Sequence, residues 1–237
     1  MSTASQIREV ALGLLREETS RDKQRLVGAS NLSNPCSRCL AEDMQGVPQE
    51  RGEYYLGAVI GTAIHALLEE RATDKPGLQP ERRVTVGSIP GYGEIRSTSD
   101  LYVEELSATV DYKTTTRQKL TGYRDAVRLE PTDLDTDTIV RARLTIKQYL
   151  TQLNLYGLGM ENAGYEVKTV NIVFICRDAK TEADVWVYSQ PYDRALAQRA
   201  LDRASKIWYA LQQGKPVETF KSSEHCYRCQ VLRKEQL

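Results

Sequence analysis

The sequence predicts an α/β fold in which a mixed central β-sheet is flanked by helices and a metal site joins the two ends of the chain. Short runs rich in β-branched residues lie in the middle, longer stretches with helical apolar spacing surround them, and a Cys-x-x-Cys pair stands near each end. Strands that alternate with helices favour one mixed core. We therefore expect a single domain over residues 1–237, with an N-terminal part (1–50), a core (51–190) and a C-terminal part (191–237).

Each element is predicted from its local pattern. Apolar residues at helical spacing predict helices over residues 4–18, 51–72, about 138–162 and about 192–213. Strands are predicted from alternation or β-branched content at RRVTVG (82–87), GEIRSTSDLYV (93–103), ATVDYKTT (108–115), VKTVNIVFI (167–175) and ADVWVYS (183–189). Two polar stretches are predicted as loops, GASNLSNPCSRC (28–39) and RDAVRLEPTDLDTDT (124–138).

Composition and charge narrow the functional classes. The chain has 32 basic and 32 acidic side chains, a balance that argues against a general nucleic-acid coat but permits a local basic groove. No apolar run approaches the roughly 18 residues of a membrane-spanning helix. The N-terminus is amphipathic and lacks the apolar segment of a signal peptide. We therefore expect a cytoplasmic protein of a bacterial, archaeal or phage-infected cell, with no membrane partner.

Four of the five cysteines form two Cys-x-x-Cys pairs, Cys36 with Cys39 and Cys226 with Cys229. Disulfides are disfavoured in a chain without a secretory signal, so a four-thiolate metal site is the better interpretation. Such a site suits tetrahedral zinc and an iron–sulfur cluster equally, and spacing alone leaves the choice open. Cys176 lies in an apolar run and is expected to be a buried small hydrophobe.

Two aspartates and a lysine lie unusually close together in the predicted strands. If the segment EELS (104–107) closes a hairpin, Asp100 falls opposite Asp111, and Lys113 follows on the same side as Asp111. Opposed like charges destabilise a sheet, whereas a divalent cation with oxygen ligands reverses that penalty. The alternative is a surface hairpin in which Lys113 pairs with an aspartate. Alternation directs Val110 and Tyr112 towards the core, and we expect Asp111 and Lys113 to face away from it.

Two helical segments add further polar candidates. His65 follows Gly57 and Gly61, a small-residue face that would let its helix lie close to the sheet; the alternative is a satisfied core histidine. In the helix at about 138–162, Gln148, Gln152 and Tyr156 share one face. That face suits phosphate contacts and base stacking, although a polar solvent-facing stripe has the same pattern.

Taken together, these motifs resemble a known family. The segments STSDLYV and VDYKT are similar to the D…(D/E)-x-K signature of the PD-(D/E)XK nuclease superfamily. GTAIHALLE and QLNLY resemble the histidine and Q-x-x-x-Y motifs of its RecB-like branch, and the terminal cysteines resemble those of iron–sulfur RecB-like exonucleases, including those of CRISPR adaptation and their phage relatives. The common cluster pattern has one cysteine near the start and three near the end, whereas this chain has two and two.

The resemblance implies a restriction-endonuclease-like core and a Mg²⁺- or Mn²⁺-dependent exonuclease, alone or with endonuclease activity. The expected substrates are single-stranded DNA or DNA ends in recombination, repair or CRISPR-type processing, and the expected partners are recombination or CRISPR-adaptation proteins. It implies that Asp100, Asp111 and Lys113 are catalytic. It also implies cation ligands, which are His65, Asp100, Asp111 and the Tyr112 carbonyl. It also implies that Gln152 and Tyr156 hold the strand, that Glu81 is a further acid near the site, and that the four cysteines bind an iron–sulfur cluster, 4Fe-4S by expectation, with zinc as the alternative. The other functional classes are a non-catalytic DNA-binding module and a zinc-clasped interaction protein.

Overall fold

The computed structural model describes residues 3–16, 26–47, 56–132, 135–223, 225–226 and 228–229. Within these ranges the helices are α1 (Thr3–Arg16), α2 (Ala29–Ser33), α3 (Ser37–Met44), α4 (Leu56–Ala72), α5 (Arg117–Arg128), α6 (Asp137–Asn162) and α7 (Arg194–Gln212). The strands are β1 (Leu78–Ile89), β2 (Gly93–Val103), β3 (Ala108–Thr115), β4 (Thr169–Cys176) and β5 (Val185–Pro191). None of the described helices combines the length and the apolar character needed to cross a membrane.

One five-stranded mixed sheet forms the centre of the fold. Its strands lie in the order β1-β2-β3-β4-β5, and β3 pairs with β4 in parallel while the other neighbours are antiparallel. Helices α5 and α6 lie in the connection between the two parallel strands, as such a connection requires. The predicted mixed sheet with flanking helices is therefore confirmed.

The larger core lies between the sheet and helices α2, α3, α6 and α7. Strand β4 contributes Val170, Ile172 and Phe174, which alternate with more exposed residues and are fully buried. The long helix α6 lies close to the sheet, because Gly159 leaves no side chain between the helix and Val84 of β1. Helix α4 covers the opposite face of the sheet, where Ala72 packs against Leu101 and Val110. Both faces of β3 are thus covered.

The strand bounds of β2 and β3 agree with the prediction, whereas two loops were predicted wrongly. Residues 28–39 contain α2 and the start of α3, and residues 124–128 are the last turn of α5. Helix α5 begins after Thr116, whose hydroxyl accepts a hydrogen bond from the Lys119 amide at 3.4 Å. It buries only a narrow stripe that includes Leu120 and Ala126, so most of its sequence is polar and has the composition of a loop. Residues 17–18, 51–55 and 133–134 of other predicted elements lie outside the described ranges.

Candidate active site

The hairpin of β2 and β3 has the register that the sequence predicts. Leu101, Tyr102 and Val103 pair with Val110, Thr109 and Ala108 respectively. Continued by one residue, this register sets Asp100 opposite Asp111.

The turn of this hairpin is stabilised by tertiary contacts. Ser107 adopts a φ of 49°, and its amide donates to the Glu104 carbonyl at 3.0 Å. The Ser107 carbonyl accepts a hydrogen bond from the Lys168 amide at 2.7 Å. The Ser107 hydroxyl donates one to the Glu166 carboxylate at 3.1 Å. The segment before β4 therefore holds a turn whose own composition is unfavourable for a hairpin.

Asp111, Lys113 and Gln152 form a buried polar cluster between β3 and α6. The Lys113 ammonium lies 3.0 Å from Oδ1 and 2.8 Å from Oδ2 of Asp111, and 3.4 Å from Oε1 of Gln152. Gln152 Nε2 donates to Oδ1 of Asp111 at 3.3 Å. The ammonium also lies 4.8 Å from the ring centroid of Tyr149, within cation–π range. The surface-hairpin alternative does not describe this cluster, since Asp111 is 1% exposed.

The expectation that Asp111 faces away from the core is wrong. Asp111 pairs with Ile172 of β4, so both side chains lie on the same face of the sheet, and Ile172 belongs to the larger core. Period-two alternation separates the two faces of a strand but does not say which one is buried, and here both are. Burial raises the pKa of Asp111 to about 6, while the Lys113 ammonium opposes that rise.

Asp100, His65 and the backbone of Tyr112 meet beside this cluster. Oδ2 of Asp100 accepts a hydrogen bond from the Tyr112 amide at 2.9 Å and lies 3.4 Å from Nδ1 of His65. Nε2 of His65 lies 2.9 Å from the Tyr112 carbonyl oxygen. The Asp100 carboxylate raises the pKa of His65, against the opposing effect of burial. The imidazole, one carboxylate and one carbonyl oxygen are thus brought together as the sequence analysis expects.

Close packing of α4 on the sheet places His65 beside the Tyr112 carbonyl. A Cβ atom built on Gly61 would lie 3.4 Å from the Thr114 hydroxyl of β3, and one on Gly57 would lie 3.0 Å from the Arg177 guanidinium. The predicted small-residue face of this helix is therefore the one that approaches the sheet. One turn after Gly61, the same face carries the imidazole to the Tyr112 carbonyl.

Gln152 and Tyr156 are buried, at 7% and 5% exposure, so the solvent-facing interpretation of their stripe is wrong. Gln152 Nε2 also donates to the Tyr156 hydroxyl. Gln152 therefore links Tyr156 to the Asp111–Lys113 pair. Gln148, one turn earlier, lines a neighbouring cavity.

Glu81 on β1 also reaches the site. Oxygen or nitrogen atoms of His65, Glu81 and Asp100 lie within 4.8 Å of one another. Glu81 adopts a φ of 44° between Pro80 and Arg82, which pair with Leu101 and Ser99 of β2. A non-glycine residue in this left-handed region is uncommon, and such strain clusters at functional sites. Glu81 therefore lies near the site, as the sequence analysis expects, and the pairing of β1 with β2 brings it beside Asp100.

A cavity of about 1020 Å³ opens beside the site. Its lining includes Asp100, Glu81, Gln152 and Tyr156, together with Arg83 and Arg96 of β1 and β2. A second cavity of about 860 Å³ lies between α5, α6 and the C-terminal cysteines, and Ser30 borders both. The acidic site therefore lies in a cleft that also carries basic side chains.

The four cysteines form a second candidate metal centre, as predicted. Sγ of Cys39 lies 3.3 Å from that of Cys226 and 3.5 Å from that of Cys229, and the Sγ atoms of Cys36 and Cys229 are 3.5 Å apart. Hydrogen bonding with Cys39 lowers the pKa of Cys36 to about 4, and the same contact raises the pKa of Cys39. Cys176 is buried in the core, as expected, and lies outside this group.

Comparison with known proteins supports the fold. No protein-family model matches the sequence, and no curated protein matches it. A protein from Eubacterium rectale designated a candidate exonuclease is 14% identical with a TM-score of 0.53, over 91% of this chain and 93% of that one. The alkaline exonuclease LHK-Exo from Laribacter hongkongensis is 12% identical with a TM-score of 0.51, over 90% of this chain and 94% of that one.

This chain shares its fold with these two solved exonuclease structures. The likeness extends over 91% and 90% of this chain in the two comparisons. At these identities the comparison concerns the fold, and the chemistry of the site must be argued from the residues themselves.

Proposed function

We propose that this protein is a Mg²⁺- or Mn²⁺-dependent DNA exonuclease. The observation that carries the proposal is the convergence of His65, Asp100, Asp111 and Lys113 beside a cleft that Asp100 lines, in a fold shared with solved exonuclease structures. An acidic pair can bind the metal ion of metal-assisted phosphodiester hydrolysis, and a neighbouring lysine can stabilise the charge that develops on the phosphate. The resemblance seen in the sequence assigns the same residues to the same roles.

The donor set fits a hard divalent cation. The ligands would be the carboxylates of Asp100 and Asp111, the Tyr112 carbonyl and the His65 imidazole. Oxygen ligands suit Mg²⁺, and the imidazole suits Mn²⁺ better. In the described structure, Nδ1 of His65 lies 3.4 Å from Oδ2 of Asp100, and His65, Glu81 and Asp100 each offer a ligand atom within 4.8 Å of the others, a spacing that one ion can span. A bound cation would supply Lewis acidity towards the scissile phosphate.

Lys113 contacts Gln152, a residue that lines the cleft. Its side chain is 20% exposed, whereas that of Asp111 is 2% exposed, so the ammonium is the more accessible partner of the pair. We assign it the orientation of the attacking water and the stabilisation of charge that develops on the phosphate. Gln152 would hold the ammonium and the Asp111 carboxylate in register through its contacts with both.

The two cavities offer a path for a DNA strand. Arg83 and Arg96 would contact phosphates on one side of the acidic site. On the other side, Lys119, Arg141 and Tyr123 line the second cavity, and Tyr123 offers a ring on which a base could stack. A local basic lining of this kind is compatible with a net charge of zero.

The direct test is incubation of purified protein with DNA labelled at either end, single-stranded and double-stranded, with Mg²⁺, Mn²⁺ or a chelator. We expect metal-dependent release of short products from a DNA end. Covalently closed DNA is the control for end dependence. DNA binding without cleavage by folded protein under every metal condition would favour the non-catalytic binding module instead.

Glu81→Gln tests the glutamate that β1 contributes. We expect it to raise the Mn²⁺ or Mg²⁺ concentration for half-maximal activity by about tenfold, because the substitution removes one negative charge and keeps the shape. Titration of activity against metal concentration measures the effect. Glu182→Gln, the same change at an exposed position, is the control. An unchanged metal dependence of Glu81→Gln would exclude Glu81 from the cation site.

A further inference from the structure

The distances between the four cysteine Sγ atoms indicate whether they can bind a single metal ion or a larger cluster. Three Sγ–Sγ separations are 3.3, 3.5 and 3.5 Å, and all four sulfurs lie within 4.8 Å of one another. A single zinc ion binds thiolates at about 2.3 Å, which sets the edges of the sulfur tetrahedron at roughly 3.8 Å. In an iron–sulfur cluster with several irons, the cysteines bind different iron atoms, so their sulfurs must lie farther apart.

We propose that Cys36, Cys39, Cys226 and Cys229 hold one tetrahedral zinc ion and not the iron–sulfur cluster that the family resemblance implies. The residue types suit either group, whereas the distances fit a single ion. The assignment is independent of the nuclease proposal, since it concerns a different group of residues.

Contacts other than those between the sulfurs hold the C-terminal segment that carries Cys226 and Cys229 against α3. Arg228, between the two C-terminal cysteines, pairs with Asp43 at 2.5 Å and with Glu42 at 2.8 Å. The Arg38 amide, on the same helix as Glu42 and Asp43, donates to the Lys221 carbonyl at 3.3 Å. The segment that carries Cys226 and Cys229 is therefore attached to α3 by two ion pairs and a backbone hydrogen bond.

The N-terminal segment that carries Cys36 and Cys39 is held by contacts of its own. Cys36 caps α3 and accepts a hydrogen bond from the Cys39 amide at 3.5 Å. Arg203 of α7 donates to the Leu32 carbonyl at 2.8 Å and to the Asn34 carbonyl at 2.5 Å, and so anchors the residues before Cys36. Cys36 and Cys39 are 0% exposed. A cluster of several irons would require the segment with Cys36 and Cys39 to move away from the segment with Cys226 and Cys229, against these contacts. A single ion requires no such movement.

Metal analysis of the intact protein tests the assignment. The protein is produced with both zinc and iron supplied and is purified without oxygen; zinc, iron and acid-labile sulfide are then measured per chain. We expect one zinc per chain, no sulfide and a colourless protein, and X-ray absorption at the zinc edge should show only a sulfur shell at about 2.3 Å. Brown protein with iron and sulfide would overturn the proposal, and so would one iron without sulfide.

A pair of variants links the zinc to these thiols. Cys226→Ser changes the least buried of the four ligands, and we expect it to lower zinc retention against a competing chelator by at least tenfold. Cys176→Ser makes the same atomic change outside the group and should retain zinc like the unmodified protein. Equal retention in both variants would place the zinc elsewhere. If Cys226→Ser does not fold, release of zinc on stepwise modification of the thiols in unmodified protein supplies the same test.

Discussion

Lys113→Met is expected to lower nuclease activity by about 10²- to 10³-fold, the usual effect of removing one group that stabilises charge in the transition state. Methionine keeps an apolar stem beside Tyr149 and removes the ammonium that lies 2.8 Å from Asp111. The measurement is the initial rate of product release at saturating DNA and metal. Because the loss concerns the chemical step, kcat should fall more than KM rises.

The control for this variant is unusually well matched. Lys168 forms an ion pair with Glu166 at 3.2 Å, with the same sequence separation as Lys113 and Asp111, but both partners are exposed. Lys168→Met should leave the rate unchanged. Activity of Lys113→Met near that of the control would remove Lys113 from the mechanism.

Stability must be measured alongside, because the burial of Asp111 changes what Lys113→Met does to the fold. Breaking a buried pair costs about 3–5 kcal/mol when the remaining charge stays ionised. Asp111 already has a raised pKa, so in the variant it can take up a proton and avoid part of that cost. We expect Lys113→Met to be folded, with a lower midpoint of unfolding. Loss of activity is evidence for a catalytic role of Lys113 only if the circular dichroism spectrum of the variant is that of the native protein.

Cys39→Ser is expected to destabilise the protein by about 5 kcal/mol, if the loop model for disulfides applies to a metal clasp. The clasp joins Cys36 to Cys229 across 193 positions, so its loss frees almost the whole chain in the unfolded state. That cost is a large share of a typical stability of about 5–15 kcal/mol. For a chain of this size, it corresponds to a drop in Tm of roughly 10–20 °C, measured by thermal unfolding.

Cys176→Ser provides the comparison for the clasp. Cys176 is 3% exposed in the core and is not near the other four cysteines, so its variant shows the cost of placing a hydroxyl at a buried thiol position. The difference in Tm between the two variants isolates the contribution of the metal. A strong chelator should lower the Tm of the unmodified protein and leave that of Cys39→Ser unchanged. Equal melting of the two variants would mean that the four thiols do not clasp the fold.

The sequence by itself determined the elements whose pattern is strong and local. Alternation defined β2 and β3, and the position of the turn between them predicted a register that the structure confirms. The two Cys-x-x-Cys pairs predicted a joint site at the ends of the chain, since four thiolates suit one metal site better than disulfides in a chain without a secretory signal. The Gly57–Gly61–His65 spacing likewise predicted which face of α4 approaches the sheet.

Only the tertiary structure decided that both faces of β3 are buried, how Glu81 is held beside Asp100 and how far apart the cysteine sulfurs are. Asp111 is buried because α6 covers its face of the sheet, a contact between residues 41 positions apart that alternation within one strand cannot encode. Glu81 reaches His65 through the pairing of β1 with β2. The sulfur spacing depends on ion pairs such as that of Arg228 with Asp43, which join segments 185 positions apart. Local pattern specifies elements, whereas distances within a site follow from long-range packing that no short stretch of sequence contains.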